Sequence, residues 1–340
     1  MKLVLIGFGT VGQGFTEILR DRLDELRTRY GFRPLLVGVA TRSRGTLLHP
    51  DGLDFDALLT ASAGGSLTAY PDTPGLLRDL PALELIARSD ADVLLEASWT
   101  DLQSAQPATD YCRAAFDAGM HVVLANKGPV ALHYADLHAR ARSAGRHLRF
   151  EGTVMAGTPA LALAQEALAG CRIDFVRGIL NGTTNYMLTQ MAEGQPYADA
   201  LATAQRLGYA EADPTADVGG WDAAAKAMIL AAALFDQQLT LDQLDVTGIT
   251  DLTITQINAA AAAGERYKLI AEITPSGARI APLRLPLTDP LAQVSGATNA
   301  ITYQTDLLGP VTLIGAGAGR LETGYALLGD LLAIHRQIPQ

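Results

Sequence analysis

The sequence has few cysteines, no excess of positive charge and no long apolar run. Only Cys112 and Cys171 occur among its 340 residues, and they match neither a metal-binding spacing nor a disulfide framework. A formal net charge of −10 argues against nucleic acid or an anionic membrane as a partner. No apolar stretch reaches the roughly 20 residues that cross a bilayer. We therefore expect a protein of the reducing cytoplasm that binds neither nucleic acid nor membrane.

The composition is that of an ordered protein with sizeable apolar cores. Hydrophobic residues make up 49% of the chain and charged residues 18%, which excludes a largely disordered protein. A chain of 340 residues most often folds into two domains. We therefore look for two domains with different tasks.

A glycine-rich turn follows the first predicted strand. Lys2–Ile6 is a short apolar run, and an amphipathic helix is predicted from Gln13 to about Arg29. A strand, a G-x-G-x-x-G turn and a helix in this order are typical of a dinucleotide-binding unit, because the glycines let a pyrophosphate approach the helix N-terminus. A glycine turn without a ligand is the alternative. We assign a coenzyme to this turn, which consists of Gly7, Phe8, Gly9, Thr10, Val11 and Gly12.

The second predicted strand ends in arginines and not in an acidic residue. Pro34–Ala40 is followed by Thr-Arg-Ser-Arg at positions 41–44. An NAD site usually places Asp or Glu here to hold the ribose hydroxyls, whereas arginine suits the 2′-phosphate of NADP. We therefore predict that NADP(H) binds at least as tightly as NAD(H), with Arg42 near the phosphate. The alternative is that these arginines lie in a loop away from the coenzyme.

Strands and helices alternate up to about residue 150. Further strands are predicted at Leu67–Tyr70, Asp92–Leu95, His121–Leu124 and Leu148–Phe150, with a helix from Leu132 to Ala144 before the last. This alternation predicts a parallel sheet, which binds ligands at the carboxyl ends of its strands. Ser98 and Lys127 each follow one of these strands, so we place both at the coenzyme. For Lys127, a solvated loop position is an equally common explanation.

The most distinctive stretch of the chain runs from Gly208 to Lys226. It contains four carboxylates, and Asp222 lies four residues before Lys226 on a predicted helix, Gly219–Phe235. Such a spacing most often marks a solvated surface pair. The residues after Lys226 are almost all apolar, however, and predict a buried helix. A buried lysine beside a carboxylate can act as a general acid that protonates a carbonyl oxygen.

Two other turns precede predicted helices. Asn181–Tyr186 offers backbone N–H groups and hydroxyls to a polar substrate, although an ordinary helix cap at Thr183 explains it equally well. Gly315–Gly319 suggests that the chain returns to the coenzyme, and a close helix contact is the alternative.

With these motifs, the chain resembles homoserine dehydrogenase over essentially its whole length. The run from Gly208 to Lys226 is similar to the signature of that family, whereas G-x-G-x-x-G is shared by many dehydrogenases. The resemblance implies reversible NAD(P)-dependent reduction of L-aspartate 4-semialdehyde to L-homoserine, on the route to threonine and methionine. It also implies an α/β fold, with a Rossmann-type parallel-sheet domain and an α+β catalytic and dimerisation domain. We place the first domain at residues 1–130, completed by a helix at about 310–340, and the second at 131–309.

The resemblance further implies roles for individual residues. Lys226 would be the proton donor, oriented by Asp222, and Lys127 would lie where nicotinamide and substrate meet. The substrate pocket would be lined by Glu211, which binds the ammonium, and by Asp217, Gly182, Thr183 and Tyr209. Coenzyme contacts would also come from Gly208 and Gly317. A structural sodium ion would be held, mostly through backbone carbonyls, by Glu151, Val154, Ala156 and Thr158.

The resemblance implies a homodimer, and the chain departs from the longer members of the family. Because it ends soon after Gly319, we expect neither their C-terminal regulatory domain nor their fused aspartate kinase. Two other classes stay open. A sugar or cyclitol dehydrogenase of the glucose–fructose oxidoreductase type is loosely matched by residues 127–129 but leaves the Asp222–Lys226 segment unexplained. A non-catalytic NADP(H)-sensing module leaves the same acidic residues and lysine without a task.

Overall fold

The computed structural model describes residues 1–338, and the chain divides into two compact units. The first unit contains Met1–Gly157 together with the C-terminal residues from Gly319, and the second is Thr158–Ala318. These boundaries differ from the sequence-based division at residues 130 and 310. The helix that begins at Lys127 belongs to the first unit, and strand Gly309–Ala316 belongs to the second.

The first unit is built on a mixed sheet. Its strands are β1 (Lys2–Ile6), β2 (Leu35–Ala40), β3 (Thr46–Leu48), β4 (Leu77–Arg78), β5 (Val93–Glu96), β6 (His121–Leu124) and β7 (Leu148–Arg149). They lie side by side in the order β4-β3-β2-β1-β5-β6-β7. The pairs among β2, β1, β5, β6 and β7 are parallel, whereas β3 and β4 pair antiparallel at one edge. The predicted Rossmann-type parallel sheet is confirmed, with this antiparallel edge added.

Helices connect these strands. They are α1 (Thr10–Tyr30), α2 (Phe55–Ala63), α3 (Ala82–Arg88), α4 (Ala108–Asp117) and α5 (Lys127–Ala144), and the C-terminal helix (Arg320–Gln337) packs beside α1. Glycine makes this last contact close, because a Cβ on Gly14 would lie 2.3 Å from the carbonyl oxygen of Arg320. No helix in residues 1–338 combines the length and the apolar character that a membrane crossing requires.

The strand predicted at Leu67–Tyr70 is wrong. Residues Leu67–Ala69 form a short 3-10 helix, and the hydroxyl of Ser66 accepts a hydrogen bond from the N–H of Thr68 at 3.2 Å. Leu67 is buried because it packs into the first unit's core, and its burial comes from tertiary contact and not from a strand pattern. Three further elements, α2, β3 and β4, were not predicted from the sequence.

The second unit carries a separate sheet. Its strands are β8 (Ile173–Ile179), β9 (Asp245–Val246), β10 (Glu265–Thr274), β11 (Gly277–Pro286), β12 (Thr298–Thr305) and β13 (Gly309–Ala316), in the order β13-β12-β8-β10-β11-β9. Only the β9–β11 pair is parallel among these described strands. The unit's helices are α6 (Ala160–Ala162, continued by a π-helical stretch Leu163–Ala167), α7 (Gly182–Ala192), α8 (Tyr197–Arg206), α9 (Thr215–Val218), α10 (Trp221–Phe235) and α11 (Ile254–Ala262).

Helix α10 forms the buried centre of the second unit. Every residue from Ala223 to Ala232 is buried, and the helix packs on β10 and β11. Its many alanines allow this, because small side chains let neighbouring elements approach the helix from every side. A lysine on this helix, Lys226, is therefore carried into the interior.

One buried carboxyl group occupies the carboxyl edge of the first sheet. Glu96 ends β5 with 0% of its surface exposed, and its Oε1 accepts the backbone N–H of Ser98 at 3.2 Å. Its Oε2 has no hydrogen-bond partner among the described residues. Burial raises the pKa of Glu96 to about 7, although hydrogen bonds from Ser98 and Asn126 oppose the shift. The Glu96 carboxyl therefore loses its proton at a higher pH than an exposed glutamate does.

We expect Glu96→Gln to change how stability depends on pH. The folded state keeps the Glu96 proton up to about pH 7, whereas the unfolded chain releases it near pH 4.5. The stability that this carboxyl contributes is therefore present below pH 4.5 and is lost as the pH rises through 7. The unfolding free energy of Glu96→Gln relative to wild type should rise over that range by up to about 3 kcal/mol in denaturant titrations.

The matched control for this experiment is Glu25→Gln, because Glu25 is an exposed glutamate on α1. It controls for the chemistry of the substitution itself. A difference between Glu96→Gln and wild type that stays flat from pH 4.5 to 8 would contradict the expectation.

Candidate active site

The glycine turn between β1 and α1 has the form that a pyrophosphate needs. Gly7 has a φ of +96°, and a Cβ there would lie 2.4 Å from the backbone carbonyl of Ala97. A Cβ on Gly12 would lie 2.5 Å from the carbonyl oxygen of Gly7, so the close turn requires both glycines. A Cβ on Gly9 would meet no described atom within 4 Å, which leaves the backbone open on that side.

The other residues of this turn divide between core and surface. Phe8 is buried, and its carbonyl oxygen accepts a hydrogen bond from Gln13 Nε2 at 3.1 Å. Thr10 is exposed and begins α1, whereas Val11 is half-buried. The first turn of α1 contains no acidic side chain, so its N–H groups can receive an anion without repulsion.

The arginine loop lies next to this turn. Ala40, the last residue of β2, pairs with Ile6, the last residue of β1, so the residues after both strands lie at the same sheet edge. The loop is ordered by the N–H of Arg44, which donates to Thr41 Oγ1 at 2.9 Å. Arg42 is exposed, and no described carboxylate lies within ion-pair distance of it. The side chain therefore projects a positive charge at the carboxyl end of β2.

Ser98 and Lys127 follow two other neighbouring strands, β5 and β6. Asn126 joins their loops, because its Nδ2 donates to Ser98 Oγ at 3.3 Å and to the carbonyl oxygen of Trp99 at 3.2 Å. Its Oδ1 caps α5 by accepting the N–H of Gly128 at 3.0 Å. Lys127 is half-buried and is the first residue of α5, which begins before the predicted start at Leu132. Pro129 is tolerated there, because N–H groups in a first turn lack helical partners anyway.

The ammonium group of Lys226 is buried between two oxygen atoms. Its Nζ lies 2.7 Å from Asp222 Oδ2 and donates to the carbonyl oxygen of Leu180 at 2.6 Å. Lys226 is only 6% exposed, so this is not a solvated surface pair. A charge so buried is stable only when it is paired and hydrogen-bonded.

Asn181 connects this pair to a second carboxylate. Its Nδ2 donates to Asp222 Oδ2 at 3.1 Å and to Asp217 Oδ1 at 2.6 Å. Burial and the nearby charge of Asp222 raise the pKa of Asp217, while the hydrogen bond from Asn181 opposes that shift. The Asn181 amide therefore holds the carboxylates of Asp217 and Asp222 together, and Asp222 in turn holds the Lys226 ammonium.

The same asparagine begins α7. Asn181 Oδ1 accepts the N–H of Thr184 at 2.9 Å, so the helix cap is Asn181 and not Thr183. Gly182 is the first residue of α7, and Thr183 Oγ1 donates to the carbonyl oxygen of Tyr209 at 2.5 Å. The N-terminus of α7 therefore lies directly beside the Lys226 pair, which has Leu180 and Asn181 as partners.

The signature turn between α8 and α9 completes the group. Gly208, with a φ of +77°, follows the C-terminus of α8, and the ring of Tyr209 lies 5.1 Å from the ring of Tyr186 on α7. Glu211 follows in an exposed position, and its carbonyl oxygen accepts a hydrogen bond from Gln205 Nε2 at 3.1 Å. The turn is thus held against the start of α7 and leaves the Glu211 carboxylate at the surface.

The residues predicted to hold sodium lie in one segment, residues 151–158. Glu151 starts a 3-10 turn, and its N–H donates to Asp330 Oδ2 at 2.9 Å. Val154 and Ala156 follow in a buried loop, and Ala156 is left-handed with a φ of 48°. Thr158, the first residue of the second unit, donates its hydroxyl to the carbonyl oxygen of Ala316 at 2.9 Å. Among the described residues, no cluster of three His, Cys, Asp or Glu side chains could hold a metal.

The second glycine turn begins later than predicted. Gly315 and Ala316 belong to β13, and the turn is confined to residues 317–319. A Cβ on Gly317 would lie 2.1 Å from Cγ of Asn299, so glycine is required there by a close contact within the second unit. Neither Asn299 nor Glu96 was among the residues predicted from the sequence. An acidic residue that ends an apolar run was the available signal for Glu96.

Comparison with known proteins identifies both units. The model of the homoserine dehydrogenase NAD-binding domain matches residues 7–151, and the homoserine dehydrogenase model matches residues 159–332. The NAD(+)-dependent homoserine dehydrogenase of Pseudomonas canavaninivorans is 42% identical over 98% of this chain and 96% of that protein. The homoserine dehydrogenase of Methanocaldococcus jannaschii is 37% identical over 98% of each chain. A solved hyperthermophilic archaeal homoserine dehydrogenase in complex with NADPH is 27% identical, with a TM-score of 0.84 over 100% of this chain and 98% of that one.

These matches cover the nucleotide turn and the signature segment alike, so they favour neither a sugar dehydrogenase nor a sensing module. Identity of this extent across both units reflects common descent and not merely a shared fold. The chain belongs to the homoserine dehydrogenase family, and it is an NAD(P)-dependent oxidoreductase that interconverts L-aspartate 4-semialdehyde and L-homoserine.

Proposed function

We propose that Lys226 is the acid of this reaction. The observation that carries the proposal is the pair of contacts of its Nζ with Asp222 and the Leu180 carbonyl, at 2.7 and 2.6 Å. An ammonium group has three N–H donors, and these two acceptors use two of them. The third is left for a substrate oxygen. Asp222 pairs with the group and orients it, and Asn181 in turn holds Asp222.

Bound NAD(P)H supplies the hydride for reduction of the aldehyde carbon. Negative charge then develops on the aldehyde oxygen, where the Lys226 ammonium stabilises it and transfers a proton. In the reverse direction, neutral Lys226 takes the proton from the homoserine hydroxyl. We assign Lys127 to the nicotinamide end of the coenzyme, because it begins α5 at the carboxyl edge of the parallel sheet.

The substrate is also an amino acid, so its two charged groups need partners. We assign the ammonium to the Glu211 carboxylate, which is exposed in the turn held against α7 through Tyr209. We assign the carboxylate to the N–H groups of Gly182 and Thr183, because the start of an 11-residue helix favours an anion. Asp217 supports this pocket through Asn181.

Lys226→Ala tests the acid directly. We expect turnover to fall by about 100-fold or more, because positioned acid catalysis is lost, while coenzyme binding stays near that of wild type.

Glu211→Gln should act differently, by raising the KM for L-homoserine with a smaller change in kcat. Steady-state kinetics and coenzyme titration separate the two effects.

Lys2→Ala is the control for Lys226→Ala, because Lys2 lies in a partly exposed ion pair with Asp90. For Glu211→Gln, the control is Glu193→Gln at the exposed end of α7. Near wild-type turnover in Lys226→Ala would remove the lysine from the mechanism. An unchanged KM in Glu211→Gln would remove the ammonium assignment.

We also propose that NADP(H) binds at least as tightly as NAD(H), since exposed Arg42 follows β2 beside the coenzyme turn. The archaeal relative was solved with NADPH, whereas the Pseudomonas relative is named for NAD(+).

Arg42→Ala should weaken NADPH binding by about tenfold and leave NADH binding nearly unchanged, because only NADPH carries the 2′-phosphate. Fluorescence titration measures both constants, with Arg22→Ala on α1 as control. A wild-type preference for NADH would refute the proposal.

A structural sodium ion is proposed for the loop that begins at Glu151. The carbonyl oxygens of Val154 and Ala156 accept no backbone hydrogen bond among the described residues outside regular elements, and such oxygens suit a hard cation. The carbonyl oxygen of Thr158 accepts the N–H of Ala160 at 2.7 Å and its hydroxyl is engaged with Ala316, so Thr158 would contribute only the second lone pair of its carbonyl oxygen. The ion would fix the loop and take no part in the chemistry. Sodium should raise the melting temperature saturably, whereas potassium at equal ionic strength should not.

The homodimer and the cytoplasmic location stay predictions. The homodimer is supported by apolar side chains at and near the β12–β13 hairpin of the second unit, where Leu307, Leu308 and Ile314 are exposed. Large exposed apolar groups of this kind often mark an interface. Sedimentation equilibrium at twice the chain mass of 35.9 kDa would support the dimer, and a monomer mass would contradict it.

A further inference from the structure

Asn299 is a fully buried amide with no hydrogen-bond partner. It lies in β12 with 0% of its surface exposed, and neither its Oδ1 nor its Nδ2 has a partner in the described chain. Buried side-chain amides are nearly always hydrogen-bonded, because loss of water without replacement is unfavourable. Two unpaired atoms on one buried side chain therefore call for an explanation.

The side chain lies against the start of α7. A Cβ on Gly182 would lie 3.4 Å from Asn299 Oδ1 and 2.5 Å from the carbonyl oxygen of Ala297. On its other side, a Cβ on Gly317 would lie 2.1 Å from Asn299 Cγ and Nδ2. Both glycines are half-buried, so the amide is one residue below the surface. It fills the space between the N-terminus of α7 and the turn after β13.

A purely structural asparagine in the same region looks different. Asn185 on α7 is also buried, yet its Nδ2 donates to the carbonyl oxygens of Val294, Gly296 and Thr298. Its Oδ1 accepts a hydrogen bond from the buried ammonium of Lys268 at 2.9 Å. Packing alone does not account for an amide at 299 either, because leucine has a similar size and would bury no polar atom.

We propose that Asn299 is a positioning residue for the α-carboxylate of the substrate, acting through the Gly182 turn. The side chain makes no hydrogen bond to the turn, so it acts by filling the space against Gly182, and a neutral group does this without repelling an anion bound to the N–H groups of the turn. The inference rests on the proposed function, which assigns that carboxylate to Gly182 and Thr183. It extends the assignment to a residue below the turn and names the chemical class recognised there, an amino-acid carboxylate.

Asn299→Asp tests the inference, because it keeps the shape of the side chain and adds a negative charge. The probes are L-homoserine and L-homoserine amide, in which a neutral carboxamide replaces the carboxylate. We expect Asn299→Asp to raise the KM for L-homoserine at least tenfold, because the new carboxylate repels the substrate carboxylate with little water between them. The KM for the amide should change less than threefold, and coenzyme affinity should stay within twofold of wild type.

Asn258→Asp is the matched control, because Asn258 is exposed on α11 of the same unit. Should Asn299→Asp fail to fold by circular dichroism, Asn299→Ser is measured in its place. Its loss of the amide should still raise the KM for L-homoserine more than the KM for the amide substrate.

The outcomes separate this inference from the proposed function. Equal losses for both substrates in an Asn299 variant would show a merely structural side chain and overturn the inference alone. Wild-type enzyme that does not distinguish L-homoserine from its amide would instead overturn the carboxylate assignment to Gly182 and Thr183, and the inference with it. Selective loss for L-homoserine supports both.

Discussion

Burial of the Lys226 ammonium is the constraint on which the second unit's site depends. A charge that is 6% exposed requires oxygen partners at short range, and two different parts of the chain supply them. Asp222 lies one turn earlier on α10, whereas the Leu180 carbonyl lies directly after β8. The ammonium therefore ties the central helix to the strand that leads into α7.

The contact between Lys226 and Leu180 also fixes the positions of the neighbouring side chains. Asn181, next to Leu180, caps α7 and also binds Asp217 and Asp222. One asparagine thus sets both the charge network and the position of a helix N-terminus. Glycine at 182 then allows the backbone of Ala297 and the amide of Asn299 to approach. A larger residue at 182 would displace these groups, so the site combines buried charges with a backbone approach that only glycine permits.

The first unit forms its coenzyme-binding edge through parallel strand pairing and not through a buried ion pair. Parallel pairing brings the ends of β2, β1, β5 and β6 to one side of a sheet, which places the glycine turn, the arginine loop and the Asn126 loop together. Glu96 lies buried at this edge and holds the N–H of Ser98. Its raised pKa of about 7 is the electrostatic consequence of closing the edge with protein atoms and not with water.

Local patterns in the sequence determined most of the elements and the family. The strands Lys2–Ile6 and His121–Leu124 have the predicted bounds, because short apolar runs between polar turns have few other ways to be buried. The signature from Gly208 to Lys226 predicted a buried lysine paired with a carboxylate, because charge on an apolar helix needs a partner. The tertiary structure determined the long-range contacts, which no local sequence pattern specifies. It made Leu67–Ala69 a buried 3-10 turn, joined Lys226 to a carbonyl 46 residues away, and placed the unpaired Asn299 amide under Gly182. Such contacts join segments distant in sequence, so only the folded chain brings them within hydrogen-bond distance.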